Sequence, residues 1–257
     1  MKMYVKIALF MTFLVAGFAQ GGLIASHKSH NKSHMGEALW ATLQPMTPQN
    51  TLFFFDLHGV ISHTSSPDIW AEFSKNVENK GVLLSTMAKI GWNGDWAWAK
   101  KQTKVFEFRI DVLTERYPIL EKYKQNFISL TNAQKPNEKM VRIIKELRNK
   151  GFTIVLASNI GPKTLEDFKV KFPEVAALFD DMYIIDKKIN FYGKPDSKYF
   201  EGLKQFALDK GHAGKQMVFT DDDQENIDVS VRKGFFGTFF TGADAFEKLL
   251  KTYGALA

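Results

Sequence analysis

Thr51-Leu52-Phe53-Phe54-Phe55-Asp56-Leu57-His58-Gly59-Val60 is the stretch on which the reading of this chain turns. Four consecutive apolar residues, Leu52 to Phe55, stop at a carboxylate. The run is too short for a helix of ordinary length and lacks polar alternation, so it predicts a strand buried on both faces, as at the centre of a parallel sheet. Asp56 then falls at the carboxyl end of that strand, the edge where open α/β sheets place their ligands. Gly59 lets the chain turn away at once and lets a ligand approach the backbone. Strands also end at Asp and Gly through turn chemistry alone, so the stretch acquires chemical meaning only from residues further along the chain.

Downstream of Pro136 strands and helices alternate. Met140, Ile143, Ile144 and Leu147 share one helix face that ends at Gly151. Strands are expected at Phe152 to Leu156, Met182 to Ile185, Met217 to Phe219 and Phe235 to Phe240. Helices are expected at Thr164 to Phe172, Ser197 to Leu208, Asn226 to Arg232 and Ala243 to Tyr253. Such alternation implies an α/β fold, a Rossmann-like parallel sheet covered on both faces. Residues 61–131 interrupt it. There Ser66-Pro67-Asp68 predicts an N-cap, a proline at the first helical position and an acid in the first turn. Ile69, Trp70, Phe73 and Val77 follow at helical spacing, and further helices are expected over Val82 to Ile90, Lys100 to Tyr117 and Pro118 to Leu130. Gly91 to Trp96 reads as an aromatic loop, with Trp92, Trp96 and Trp98 serving either packing or substrate contact. The organisation is therefore a core of residues 51–60 and 132–257 with an inserted helical domain over 61–131.

Composition bounds the chemistry. The 257 residues are 45% hydrophobic and 24% charged, enough for a large core. No cysteine is present, which excludes disulfides, thiolate metal sites, cysteine nucleophiles and a lipid anchor on cysteine. The net charge of +6 favours anionic partners but is spread along the chain, so nucleic-acid binding is not expected. Residues 1–25 have a targeting pattern: Lys2 and Lys6 precede an apolar run from Ile7 to Ala19, with small residues at Gly17 and Ala19 before Gln20. Export through a cleaved signal is the expectation, periplasmic or secreted. The alternative is a membrane anchor, since Leu23-Ile24-Ala25 lengthens the apolar run. Residues 26–50 form a linker and lead-in, in which His27, His30 and His34 are either a solvated tract or a metal site without imposed geometry. Nothing in the sequence indicates a stable protein partner.

Four stretches carry polar residues just after apolar strands or in a loop beside them: Asp56 with His58, Ser158 with Asn159, Lys194 in Gly193-Lys194-Pro195-Asp196, and Asp221-Asp222-Asp223. In a parallel sheet these ends open on one edge and can converge. Clustered carboxylates repel unless a cation joins them, and an all-oxygen donor set selects a hard ion such as Mg²⁺. A hydroxyl, a lysine and backbone amides beside it would hold an anion. Together these features describe phosphoryl transfer with Asp56 as nucleophile.

The four stretches resemble the four motifs of the haloacid dehalogenase-like (HAD) hydrolase superfamily. Phe53 to Val60 resembles motif I, which implies that Asp56 is nucleophile and metal ligand. Val155-Leu156-Ala157-Ser158-Asn159 resembles motif II, whose hydroxyl binds phosphoryl oxygens; Ser158 and Asn159 are the candidate substrate-binding residues. Gly193 to Asp196 resembles the motif III region, implying that Lys194 offsets the nucleophile's charge, and Phe219 to Asn226 resembles motif IV, implying Mg²⁺ ligation by Asp221 and Asp222. Asp223 reads as the N-cap of the next helix and Asn226 as a tie within the loop. Asp56 and Ser158 stand 102 positions apart, and the resemblance implies that the intervening block is the helical cap of subfamily I, a lid over a small phosphorylated substrate.

One position departs from the pattern. Phosphatases of the family usually carry a second Asp two residues after the nucleophile, as general acid and base; here it is His58. A metal contact through the backbone carbonyl survives that change, so His58 stays among the expected ligands, and its imidazole is the candidate acid and base. Family members that act on carbon–halogen bonds need no metal and carry Tyr there, whereas Asp221 and Asp222 make sense with a cation. The expectation is a Mg²⁺-dependent phosphatase. A non-catalytic phosphate-binding protein and a hydrolase of non-phosphate substrates are the alternatives.

Overall fold

The computed structural model describes residues 40–73, 75, 77–103, 105–128, 133–186 and 192–257. The expected leader over residues 1–25 and the histidine tract lie outside the described residues. The elements run β1 (Thr51–Phe55), β2 (Ser62–His63), α1 (Ser66–Phe73), α2 (Lys80–Trp92), α3 (Asp95–Gln102), α4 (Phe106–Arg116), a 3-10 turn (Pro118–Tyr123) and α5 (Lys124–Ile128). They continue as β3 (Lys135–Pro136), α6 (Glu138–Asn149), β4 (Thr153–Ala157), α7 (Pro162–Lys171), α8 (Pro173–Ala176) and β5 (Asp181–Tyr183). The chain closes with α9 (Ser197–Asp209), β6 (Gln216–Asp221), α10 (Gln224–Arg232), β7 (Phe236–Phe239) and α11 (Ala243–Thr252).

β1 lies at the centre of a five-stranded sheet of order β5-β4-β1-β6-β7, and every neighbouring pair is parallel. Its composition explains the position, because a strand flanked on both sides and covered on both faces has no residue to give to water. All five of its residues are buried. Phe53 and Phe55 pack on one face with Ile143, Ile144 and Leu147 of α6 and Phe246 of α11. Leu52 and Phe54 pack on the other with Tyr199, Phe200, Leu203 and Phe235. The apolar stripe of α6 is buried at Met140, Ile143, Ile144 and Leu147, and the chain leaves that helix through Gly151 at φ +89°. The core is thus the expected α/β sandwich, with one short added helix, α8, which begins at Pro173 itself, a residue the sequence offered only as the stop of the helix before it.

The inserted block has its own apolar centre, in which Ile69, Leu83, Met87, Ile110, Leu113 and Phe127 are buried together. Val105, at the start of α4, packs instead with the core residues of the second sheet face. Three local expectations are corrected. The cap of α1 is Ser65, one residue earlier than expected: its hydroxyl accepts the Asp68 N–H and donates back to the Asp68 carboxylate, a closed local pair. Gly91 to Trp96 is no loop but a tight link between two helices, turned through Gly94 at φ +71°. Trp96 and Trp98 pack on the block's apolar centre, whereas Trp92 is 93% exposed. Lys100 to Tyr117 is two helices, α3 and α4, broken near Thr103. The block is also not free of strands, because β2 and β3 pair antiparallel where the chain enters and leaves it.

Phe54 is fully buried and meets Phe235 edge-on at 5.6 Å between ring centroids. Phe54→Ala is expected to cost about 3–5 kcal/mol of folding stability, measured by urea denaturation; a loss near zero would mean that β1 is not the packed centre of the sheet.

Candidate active site

The register pairs Phe55 with Leu156 of β4 on one side and with Thr220 of β6 on the other. The residues that follow those three strands, or end them, are therefore brought to one edge. Lys194 arrives from the loop before α9, and its residue is 2% exposed. Its Nζ lies 2.8 Å from Asp56 Oδ1 and 2.6 Å from Asp221 Oδ2. The Phe219 ring centroid lies 5.4 Å from the same ammonium. The lysine is held by its backbone: its N–H donates to Asn159 Oδ1 and its carbonyl accepts from Asn159 Nδ2, both at 2.8 Å. Asn159, expected to bind substrate beside Ser158, is thus the clamp that places Lys194.

Asp221 is fixed from its other oxygen, which accepts from Asn226 Nδ2 and from the Asp223 N–H, both at 2.9 Å. Asp223 caps α10 by accepting the Glu225 N–H at 2.9 Å, so the loop's third acid is used for folding, as the sequence suggested. Asp222 is half-buried beside Gly59. A Cβ at Gly59 would collide with the Asp222 carboxylate, and its backbone sits at φ +82°. The glycine is required twice over, and what approaches its backbone is this side chain.

Carboxylate oxygens of Asp56, Asp221 and Asp222 all lie within 4.8 Å of one another. The His58 imidazole is not part of that group; it is half-buried and makes no hydrogen bond among the described residues. Ser158 Oγ is buried without a hydrogen-bond partner. An orphaned hydroxyl on the same sheet edge as three converging carboxylates and one ammonium fits an anion held next to a hard cation. Sequence reasoning did not single out the Phe219 ring under Lys194, since an aromatic within a strand reads only as core.

The electrostatics follow from the count of one ammonium against three carboxylates. Burial pushes the Asp222 carboxyl up to about 7, and Asp56 and Asp221 add to the push. Burial also drives Asp221 up, against the pull of Lys194. Burial draws the Lys194 ammonium down, but Asp221 and Asp56 outweigh it and hold it above the ordinary lysine value. The lysine therefore stays charged, and the excess proton affinity belongs to the acids. Burial lowers the His58 imidazole, with Asp56 opposing and Lys194 adding to the shift.

Residues 51–231 match the family model of the haloacid dehalogenase-like hydrolases, and the chain belongs to that family. It is a HAD-like hydrolase with the Rossmann-like α/β fold. Comparison with curated proteins gives no match. Among solved structures, a dehalogenase is 15% identical at a TM-score of 0.54, over 80% of this chain and 99% of that one. A HAD family enzyme from Bacteroides thetaiotaomicron is 17% identical at 0.54, over 78% and 98%; a variant of it was solved in complex with magnesium and inorganic phosphate. L-2-haloacid dehalogenase from Xanthobacter autotrophicus, with chloropropionic acid covalently bound, is 13% identical at 0.52, over 82% and 85%. At these identities the likeness is one of fold.

The raised Asp222 carboxyl sets a pH dependence. Its folded value of about 7 lies above the unfolded value of about 3.9, so between those limits the folded chain binds more protons than the unfolded one. Without divalent cations, this group's contribution to stability is therefore lost as pH rises through that window. A cation at the carboxylates competes with the proton, so the rise in melting temperature produced by Mg²⁺ should be larger at about pH 8 than at about pH 5. Thermal melts with Mg²⁺ and with EDTA measure it; a gain that shrinks with rising pH would place the cation elsewhere.

Proposed function

We propose that this hydrolase cleaves phosphate monoesters of small molecules with Mg²⁺, through an aspartyl phosphate on Asp56. The observation that carries the reading is the wedge of Lys194 between Asp56 and Asp221, with the Asp222 carboxylate converging on the same point. Asp56, Asp221, Asp222 and the His58 carbonyl would hold the cation. Bound there, Mg²⁺ supplies charge neutralisation at the phosphoryl oxygens. The magnesium and phosphate in the Bacteroides complex support the same pairing in a protein of this fold.

The chain's own residues do the rest. Lys194 binds Asp56 Oδ1, which leaves Oδ2 to attack phosphorus. The orphaned Ser158 hydroxyl donates to a phosphoryl oxygen, and Lys194 offsets the charge that develops. The ester oxygen leaves with a proton, and water then attacks the aspartyl phosphate and releases phosphate. His58 stands two residues from the nucleophile, where it can exchange the protons of both steps.

Asp56→Asn should abolish turnover of an aryl phosphate while substrate binding persists, and Ser158→Ala should lose about 10²-fold. Steady-state kinetics decide this; substantial turnover by Asp56→Asn would sink the nucleophile assignment. His58→Ala should lose roughly 10²- to 10⁴-fold on alkyl phosphates and less on aryl phosphates, whose leaving groups need little protonation.

A second reading rests on His58 standing where phosphatases of the family usually carry the acid. Loss of that acid favours a protein that binds Mg²⁺ and phosphate without turnover. If His58→Ala is silent and His58→Asp raises the rate, that reading replaces the first. Activity insensitive to EDTA on a haloacid, with none on phosphates, would favour carbon–halogen chemistry instead. We infer further, from residues 1–25, that the chain works outside the cytoplasm. N-terminal sequencing of exported protein should find a mature start near Gln20; full-length chain in the membrane fraction would favour an anchor.

A further inference from the structure

β5 is an outer strand of the sheet and only three residues long, so its hold on β4 depends on few bonds. The Tyr183 carbonyl at its end accepts the Ser158 N–H at 3.1 Å, just past the paired residues Ala157 and Tyr183. Two residues on, the Ile185 N–H donates to the Ile160 carbonyl at 3.0 Å. The turn after β4, which carries the orphaned Ser158 hydroxyl, is thus held along one side by a strand that has no further neighbour among the described residues.

α9 supplies a fastening. Tyr199, in its first turn, is wholly buried, and its hydroxyl lies 3.4 Å from that same Tyr183 carbonyl. A buried phenol needs an acceptor, and among the described residues this carbonyl is the one it reaches. Burial pushes the phenol well above its ordinary value and the Asp56 charge adds to the push, so the hydroxyl keeps its proton and donates it. The Tyr183 ring returns the contact. It meets Tyr199 edge-on at 5.2 Å and Phe206 at 5.3 Å between centroids. Its hydroxyl end lies against Gly202 of α9, where a Cβ would stand 2.3 Å from Oη. Glycine weakens a helix interior, and here it makes the seat for that ring. We propose that Tyr199 is a positioning residue for Ser158. Its hydroxyl and the Ser158 N–H share one carbonyl, so α9 sets where the Ser158 peptide stands and where the side-chain hydroxyl aims. Asn159 ties the same turn to the Lys194 backbone, in the loop that leads into α9. The hydroxyl and the ammonium offered to a phosphoryl group are thereby placed from one helix.

The inference rests on Ser158 binding a phosphoryl oxygen, and one arm of its test needs no substrate. In Tyr199→Phe, amide hydrogen exchange at Ser158 and Ile185 should rise about fivefold, the equivalent of one ordinary hydrogen bond, while exchange at Phe54 and Phe55 of β1 stays native. Gly202→Ala should give the same rise, although alanine favours a helix. Adding Tyr183→Phe to it should reverse the rise, because the oxygen that the new methyl would strike is gone and the ring carbon behind it lies 3.5 Å away. Unchanged exchange at Ser158 in Tyr199→Phe, an equal rise in β1, or no reversal in the Gly202→Ala, Tyr183→Phe pair overturns the proposal. For a chain active on aryl phosphate, Tyr199→Phe should lower kcat about fivefold with KM near native, and should cost nothing further in a Ser158→Ala background. The full loss persisting in that background would mean that the tyrosine acts elsewhere and would overturn the proposal, as would raised exchange with native kcat. A chain with no phosphatase activity would remove the proposed function and leave the exchange result to decide this one.

Discussion

Everything at the carboxyl edge of the sheet depends on one buried ammonium. Lys194 sits between Asp56 and Asp221 with its side chain almost wholly excluded from water. Two carboxylates at that spacing repel each other strongly in a medium of low polarity. The lysine offsets that repulsion, and the price is a strict backbone placement that Asn159 supplies from the neighbouring strand end. The arrangement ties β1, β4, β6 and the loop before α9 into one electrostatic unit. Removing the ammonium would leave two buried acids to take up protons or separate, so its contribution to folding and its contribution to chemistry are hard to tell apart by deletion alone.

The fold was legible because its central strand is extreme. A run of buried phenylalanines that stops at an acid admits few architectures, and the helix–strand alternation after Pro136 supplied the rest. Asp56, Ser158, Asp221 and Asp222 stood out as candidates for a related reason, as polar residues at the ends of apolar runs, and Lys194 stood out through its Gly-Pro-Asp frame. The bond of Asn159 to the Lys194 backbone was not legible, because an amide next to a serine looks alike whether it reads a substrate or a peptide group. Only the position of the Lys194 backbone, set by a loop 35 residues away, distinguishes the two. The bond of the Tyr199 hydroxyl left no signal at all, since a tyrosine on the buried face of a helix reads as packing whatever its hydroxyl meets.

The helical block was harder to read for a different reason. Its helices are short and weakly amphipathic, and the links between them are tight, so a boundary depends on single residues such as Gly94 and Ser65. What the sequence did carry was that the block would have a centre of its own. It has one, and Val105 shows that the separation from the core is incomplete: the start of α4 shares the apolar cluster around Tyr199 and Phe200. Any movement of the block must keep or exchange that contact, which limits how far it can travel without exposing apolar surface.

The lead-in to the core has a bearing on how the molecule can be held. Trp40 donates from its indole to the Gly237 carbonyl of β7 and meets Phe236 edge-on and Tyr253 at a tilt, and Gln44 exchanges hydrogen bonds with Gln216, the first residue of β6. The Met46 N–H donates to the Tyr253 carbonyl, after α11. These fastenings lie at the outer strand and at the starting ends of the strands, whereas the acids gather at the finishing ends. Trp40 is therefore held at the rear of the sheet, so a bead or a surface coupled at that residue would lie on the side away from the acids.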